Sequence, residues 1–318
     1  MVSTLIPAPL STVALPPLDT SQAPWPGEFH RIDDHEVHVR ATPGDGPPAV
    51  YVHGLGGSAT NWTDLAAQLR EHVSGHSIDL PGFGRSEPIE GYDFSLTTHA
   101  RTVVKYLETF GEPVHLFGNS MGGAISVITA ATRPDLVRTL TLVSPAVPDL
   151  RPRLDRMSDP RMALAVLPII GPRVRRELAK LSPHERTRQM LELCFADPSL
   201  VPDHRIEESI RENEERARQR WASQALNRST FGLMQSWLLP GPRSLWRTLP
   251  LVKAPTLVLW GENDRLVSVR KAPRTARLLP KGRLLVLPRT GHVAQMERPA
   301  TVARAVLGMW EAVDRGTW

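Results

Sequence analysis

VHLFGNSMGGAISVITA, residues 114–130, is the stretch whose reading decides the architecture. A short apolar run ends in the pentapeptide Gly118-Asn119-Ser120-Met121-Gly122, and helix-forming residues follow at once. The pattern G-x-S-x-G between a buried strand and a helix places a serine on a tight turn, with its hydroxyl lifted out of the sheet. Such a turn tolerates no bulky Cβ beside the serine, which accounts for Gly118 and Gly122. Gly123 and Ala124 let the following helix pack closely on the strand.

Working outward, the same alternation recurs. HEVHVRA (35–41), PAVYVHG (48–54) and HSIDLPG (76–82) read as strands, the last two ending in glycine turns. NWTDLAAQLREH (61–72) and LTTHARTVVKYLETFG (96–111) carry apolar residues at helical spacing, and Gly111 stops the second. LTLVSPA (140–146) closes this first part. Strand style returns only with PTLVLWG (255–261) and RLLVLPRTG (283–291), followed by a helix from Arg298 towards Trp310. Strands alternating with helices predict an α/β fold with a mostly parallel sheet flanked by helices. The chain divides into a Pro-rich arm over residues 1–27, extended and lying on or trailing from the body, a core over 28–146, an inserted helical cap over 147–250, and a second core part over 251–318.

A serine hydroxyl is a weak nucleophile at its free pKa, so a base must reach it and a third group must fix that base's tautomer. His292, after RLLVLP, and Asp264, after PTLVLWG, both fall on loops beyond strand C-termini, where open parallel sheets gather their catalytic groups. With Ser120 they give the chain order Ser, Asp, His. Glu262 and Asp149 are the alternatives to Asp264. The oxyanion of a tetrahedral intermediate needs preorganised N–H donors. Met121, directly after the serine, is one candidate, and Leu55 in the turn His53-Gly54-Leu55-Gly56-Gly57 is the other. His53 belongs to that turn and is expected to be structural, not a base.

Taken together, HGLGG (53–57), DLPGFGRS (79–86), GNSMGG (118–123), WGENDRLV (260–267) and GHVAQMERP (291–299) resemble the α/β-hydrolase superfamily from about Phe29 to the C-terminus. The resemblance implies an α/β-hydrolase fold with a helical cap and a Ser-His-Asp hydrolase. Two subfamilies are similar. Monoacylglycerol-lipase-like carboxylesterases share the simple oxyanion loop, LTLVSPA, MLELCFADPSLVP (190–202) and GHVAQMERP; meta-cleavage-product hydrolases, which cut a C–C bond, share GNSMGG and DLPGFG. The latter usually carry a glycine-richer oxyanion loop and a Trp after the catalytic His, where this chain has Val293. Haloalkane dehalogenases and epoxide hydrolases need an aspartate nucleophile, which Ser120 excludes. The expectation is hydrolysis of a small or lipid-like carboxylic ester through an acyl-enzyme, with C–C hydrolysis as the alternative and a non-catalytic binding protein as the remaining one.

Composition bounds the partners. The chain has 318 residues, 41% of them hydrophobic, enough for a full core. Its longest apolar runs, such as MALAVLPII (162–170), fall short of the ~18 residues that span a bilayer. The N-terminus lacks Lys or Arg before its apolar residues and is broken by prolines, which argues against a signal peptide and for a cytoplasmic protein. A single cysteine, Cys194, excludes an internal disulfide and reads as a small buried hydrophobe in a helix. Neither a metal nor an organic cofactor is implied.

The net charge of +5 is concentrated between residues 146 and 250, which hold 18 Arg and Lys against 13 Asp and Glu. That basic cap allows peripheral contact with a membrane or lipid, whereas the absence of interleaved aromatics argues against nucleic acid. Within it, RIEESIRENEERARQR (205–220) reads as a solvated helix with Glu207–Arg211 and Glu214–Arg218 pairs. The apolar cap segments MALAVLPIIG and FGLMQSWLLPG (231–241) would line an acyl tunnel or pack the cap on itself.

Overall fold

The computed structural model describes residues 6–149, 173, 176–177, 180–238 and 244–318. Its elements run β1 (Gly27–Ile32), β2 (His35–Thr42), β3 (Pro48–Val52), α1 (Thr63–Leu69), β4 (Ser74–Ile78), α2 (Leu96–Leu107), β5 (Val114–Asn119), α3 (Met121–Thr132) and β6 (Val137–Val143). In the cap region follow α4 (Pro183–Cys194), α5 (Asp203–Arg218), α6 (Ala222–Leu238) and α7 (Leu245–Thr248). The chain closes with β7 (Thr256–Gly261), α8 (Ala272–Leu278), β8 (Gly282–Leu287), α9 (Ala294–Glu297) and α10 (Pro299–Asp314). Among the described residues the stretch between β6 and β7 contains no strand.

The eight strands form one sheet in the order β1-β2-β4-β3-β5-β6-β7-β8. β2 is antiparallel to β1 and to β4, and every other pairing is parallel. β3, β5 and β7 are buried at every position, as strands covered on both faces must be. Alternate side chains feed two separate cores: Leu116 packs with residues of α2 and α3, whereas its neighbour Phe117 packs with residues of α1 and α10. α2 begins at Ser95, whose hydroxyl accepts the Thr98 N–H at 3.1 Å, and its C-terminal turn ends at Gly111 with φ 70°.

The N-terminal arm lies on the body. Pro7 bridges Leu284 in parallel, with Ala8 N–H donating to Leu284 at 3.2 Å, so the arm covers the free edge of β8. It continues past α10, where Ser11 N–H donates to Arg304 O at 2.9 Å, and reaches α1, where the Gln68 amide donates to Pro16 O at 2.9 Å.

Two expectations for the cap need revision. α5 is not a purely solvated helix. The Glu207–Arg211 pair is present at 3.9 Å, but Arg205 pairs with Asp64 of α1 at 2.5 Å, and the Gln219 amide donates to Gly84 O at 2.7 Å. A predominantly polar helix thus docks partly through half-buried polar contacts that helical periodicity does not reveal, while Ile206 packs beside Leu191, Phe195 and Val293. Among the described residues of FGLMQSWLLPG, Phe231, Met234 and Leu238 point to solvent, Leu233 is buried, and Trp237 is half-buried with its indole N–H donating to Ala146 O at 3.0 Å. Phe231, Met234 and Leu238 therefore line no inner tunnel; the companion segment MALAVLPIIG lies outside the described residues.

Candidate active site

Ser120 stands between β5 and α3 with φ 53° and ψ −117°, a left-handed backbone that few non-glycine residues adopt. Its N–H donates to Val143 O at 3.0 Å, and its carbonyl accepts from Ala146 N–H at 2.8 Å and Ala124 N–H at 3.1 Å. These bonds hold the strained turn against β6 and α3. The flanking glycines are required by space. A Cβ on Gly118 would lie 2.5 Å from Gly122 O, and one on Gly122 would lie 2.2 Å from Val52 O.

Asp264 is buried on the loop after β7, and both its oxygens are occupied. Oδ1 accepts the N–H groups of Leu266 and Val267, each at 2.9 Å, and Oδ2 lies 2.9 Å from His292 Nδ1. His292 is buried on the loop after β8. With Nδ1 donating to Asp264, Nε2 is the ring nitrogen left with a lone pair. The loop is tied on two sides: His292 N–H donates to Cys194 O at 2.7 Å, and its carbonyl accepts from the Asn119 amide at 3.1 Å. Asn119 also donates to Val143 O at 3.1 Å, so the residue before Ser120 physically links the serine turn to the histidine loop.

The two candidate oxyanion donors meet the simplest requirement, that they be free. Met121 opens α3, so its N–H has no acceptor within the helix. Among the described residues neither Met121 N–H nor Leu55 N–H has a hydrogen-bond partner. The turn carrying Leu55 abuts the serine, since a Cβ on Gly54 would lie 3.1 Å from Ser120 Cβ.

The alternatives are placed elsewhere. Glu262 is exposed. Asp149 is buried, lies 3.4 Å from Lys271 Nζ and accepts the Ser268 N–H at 3.3 Å. His53 bonds through both ring nitrogens: Nδ1 donates to Gly54 O at 2.7 Å, and Nε2 accepts the Leu80 N–H at 3.1 Å. Burial holds its pKa below the ordinary histidine value, so it stays neutral and fixes the turn. Cys194 is the last residue of α4, and burial, with a smaller effect of the Asp264 carboxylate, pushes its thiol up to about 12. Its carbonyl is the atom that meets the histidine loop.

Three supporting residues escaped the reading of the sequence. Asp79, in DLPGFGRS, accepts from His38 Nδ1 at 2.8 Å, Ala59 N–H at 2.7 Å and Arg85 N–H at 3.0 Å. Burial opposes its charge, but these bonds outweigh burial and hold its pKa below the usual carboxylate range. Glu297 accepts Gly291 N–H at 2.7 Å and Ala196 N–H at 3.2 Å, joining the histidine loop to the chain just after α4. Glu212 of α5 accepts the Ser58 hydroxyl at 3.1 Å, at the end of the turn that carries Leu55; burial raises its pKa. A cavity of about 170 Å³ lies between the arm and α5, lined by residues including Leu18, Phe195, Arg205, Glu212 and Met296. Neither Ser120 nor His292 lines it.

With this geometry in view, the Alpha/beta hydrolase family matches residues 49–305. The chain belongs to that family. A 2-hydroxy-6-oxononadienedioate/2-hydroxy-6-oxononatrienedioate hydrolase of Comamonas testosteroni is 28% identical over 287 residues, 87% of this chain and 91% of that protein. Monoacylglycerol lipase ABHD6 of Mus musculus is 24% identical over 86% of this chain and 78% of its own length. Among solved structures, the 2-hydroxy-6-oxo-6-phenylhexa-2,4-dienoate hydrolase from Rhodococcus sp. strain RHA1 superposes with a TM-score of 0.72 at 24% identity, covering 90% of this chain and 98% of that one. The α/β-hydrolase fold is therefore established, and relatives of two reaction types share it. Among the described residues no helix is long and apolar enough to cross a membrane.

Proposed function

We propose that this chain is a serine hydrolase of carboxylic esters, with Ser120 as nucleophile, His292 as general base and acid, and Asp264 as the group that orients the histidine. The observation that carries the reading is the buried Asp264–His292 hydrogen bond of 2.9 Å on loops beside a serine held at φ 53°. Ser120 Oγ attacks the ester carbonyl and passes its proton to His292 Nε2, while Asp264 stabilises the imidazolium. The oxyanion takes hydrogen bonds from Leu55 and Met121 N–H. His292 then gives the proton to the departing alkoxide, and water attacks the acyl-enzyme through the same shuttle. No metal or organic cofactor enters this chemistry, and the substrate class is a small or lipid-like acyl ester.

The relative from Comamonas testosteroni motivates a second reading, hydrolysis of a C–C bond in a meta-cleavage product. That reaction requires a carbon leaving group to be made by proton transfer before cleavage. The residue beside the histidine is Val293, which packs with Leu191 and Phe195 where that group of hydrolases usually carries a Trp. Ester hydrolysis asks for nothing beyond the five groups named, and it is the reading preferred.

Folded protein should react at Ser120 with a fluorophosphonate, and Ser120→Ala should lose both labelling and ester hydrolysis. Activity that survives Ser120→Ala in the absence of labelling would overturn the serine mechanism and leave a binding protein on this fold. Parallel assays on p-nitrophenyl esters, monoacylglycerols and a meta-cleavage dienoate separate the two reactions. A strong preference for the dienoate would replace the ester reading.

A further inference from the structure

α6 (Ala222–Leu238) is amphipathic in an unexpected sense. Its buried residues Ala222, Ala225, Ser229 and Leu233 follow i, i+3, i+7, i+11 and face the body. Ala225 packs against the DLPGFGRS loop, where a Cβ on Gly82 would lie 2.6 Å from Ala225 Cβ. The opposite face should then be polar. Instead it carries Phe231, Met234 and Leu238 at i, i+3, i+7, exposed by 69%, 57% and 69%. At 1.5 Å per residue these side chains form a stripe roughly 10 Å long. Three large apolar side chains in a row on the outer face of a helix are not the scattered apolar exposure usual on a soluble surface.

Along the chain, the charge on either side of the stripe has one sign. Residues 216–261 contain seven Arg or Lys and no Asp or Glu. Arg218, Arg220 and Arg228 are exposed before the stripe, and Arg247 and Lys253 after it. The near end of the same helix overhangs the candidate site: a Cβ on Gly56, in the turn with Leu55, would lie 3.6 Å from Leu226 Cδ1. An apolar stripe whose flanking sequence carries only cations matches an interface of acyl chains beneath anionic headgroups.

We propose that the outer face of α6 docks on an anionic lipid bilayer, with Phe231, Met234 and Leu238 entering the headgroup–acyl boundary and the flanking arginines meeting the phosphates. This deepens the ester-hydrolase reading, on which it rests for its purpose: lipid-like esters would be taken from the surface on which the cap sits. The docking itself needs no catalysis, so the two ideas fail separately.

The test is sedimentation of the full chain with phosphatidylcholine vesicles, with and without phosphatidylglycerol. Wild-type protein should partition onto the anionic vesicles, and raised salt should weaken that partition. The double variant Phe231→Ser/Leu238→Ser should bind roughly tenfold more weakly or worse, and Arg228→Gln about fivefold more weakly. Since all three side chains are exposed, both variants should keep wild-type kcat/KM on a soluble p-nitrophenyl ester. Should that ester not be turned over at all, vesicle binding would still be read and only the function would fall. Wild-type protein remaining in the supernatant, or a double variant that partitions like wild type, would overturn the docking. A wild-type dimer that the double variant dissolves would assign the stripe to a second copy of the chain instead.

Discussion

Asp264→Asn tests the proposed mechanism at one atom. In the wild-type structure Oδ1 accepts two backbone N–H groups, from Leu266 and Val267, while Oδ2 alone faces His292 Nδ1. An asparagine must keep its oxygen toward the two N–H donors, because turning its NH2 there would set donors against donors at 2.9 Å. Its NH2 is then forced toward His292, where it can only donate. Nδ1 must become the acceptor, the proton moves to Nε2, and the nitrogen meant to deprotonate Ser120 carries a hydrogen already. A tautomer error of this kind costs about 10⁴ in kcat, the magnitude known for the analogous change in the serine-protease triad. That factor corresponds to about 5.4 kcal/mol of transition-state stabilisation. Folding should be nearly unaffected, since the two loop N–H groups keep their acceptor. Asp264→Ala should differ: it strips the acceptor from two N–H groups and should lower stability by ~1–3 kcal/mol for each one left buried. Steady-state kinetics on a p-nitrophenyl ester, paired with urea unfolding of both variants, separates the effects. An Asp264→Asn enzyme within tenfold of wild-type kcat would refute the orienting role and send the search back to Asp149.

Other substitutions probe the supports. Gly122→Ala pushes a methyl to 2.2 Å from Val52 O and 2.4 Å from His53 O, so urea unfolding should show a loss of at least ~1–3 kcal/mol. Asp79→Asn weakens hydrogen bonds on which three donors converge, and the same assay should register about 1–3 kcal/mol. Glu212 has its folded pKa raised by burial, so between the ordinary carboxylate value and the raised one the folded state holds a proton the unfolded state has lost, and stability falls as pH rises through that window. Glu212→Gln should flatten this part of the stability–pH curve measured by denaturant titration, and an unchanged curve would remove Glu212 as its source.

The catalytic candidates were legible because each stands where a change of pattern occurs. Ser120 ends a buried strand and starts a helix; Asp264 and His292 follow the two apolar runs that return after the cap. Backbone direction alone brings such residues to one edge of a parallel sheet. β1 was not legible: GEFHRI is an antiparallel edge strand, exposed or half-exposed everywhere but Ile32, so it lacks the apolar alternation that announces a strand. Glu212 was hidden for a related reason. It lies in a helix with no fully buried residue, and its contact with Ser58 spans 154 positions of sequence, so nothing local distinguishes it from the solvated glutamates beside it. Asn119 was visible as a letter within the motif, but its two hydrogen bonds to Val143 and His292 depend on strand neighbours that only the fold supplies.

The way the stretch from α4 to α6 meets the candidate site gives a physical reason why family membership would carry the proposed chemistry further than the substrate. The groups proposed to break the bond are held largely by backbone atoms: Val143 O and Ala146 N on Ser120, Leu266 and Val267 N–H on Asp264, Cys194 O on the His292 N–H. Bonds of that kind survive most side-chain replacement, so relatives with about a quarter of their residues in common can retain them. Apart from the Cys194 carbonyl and the Ala196 N–H, the stretch from α4 to α6 meets the candidate site through side chains: Glu212 on Ser58, Leu226 near Gly56, Leu191 and Phe195 against Val293. Each can be exchanged without disturbing the backbone frame. On the proposed reading, ester and C–C preference would therefore diverge most readily at the residues of these helices that face the candidate site, such as Glu212 and Leu226. Substitutions there should change which substrate is preferred, while Ser120 remains the residue that a fluorophosphonate labels.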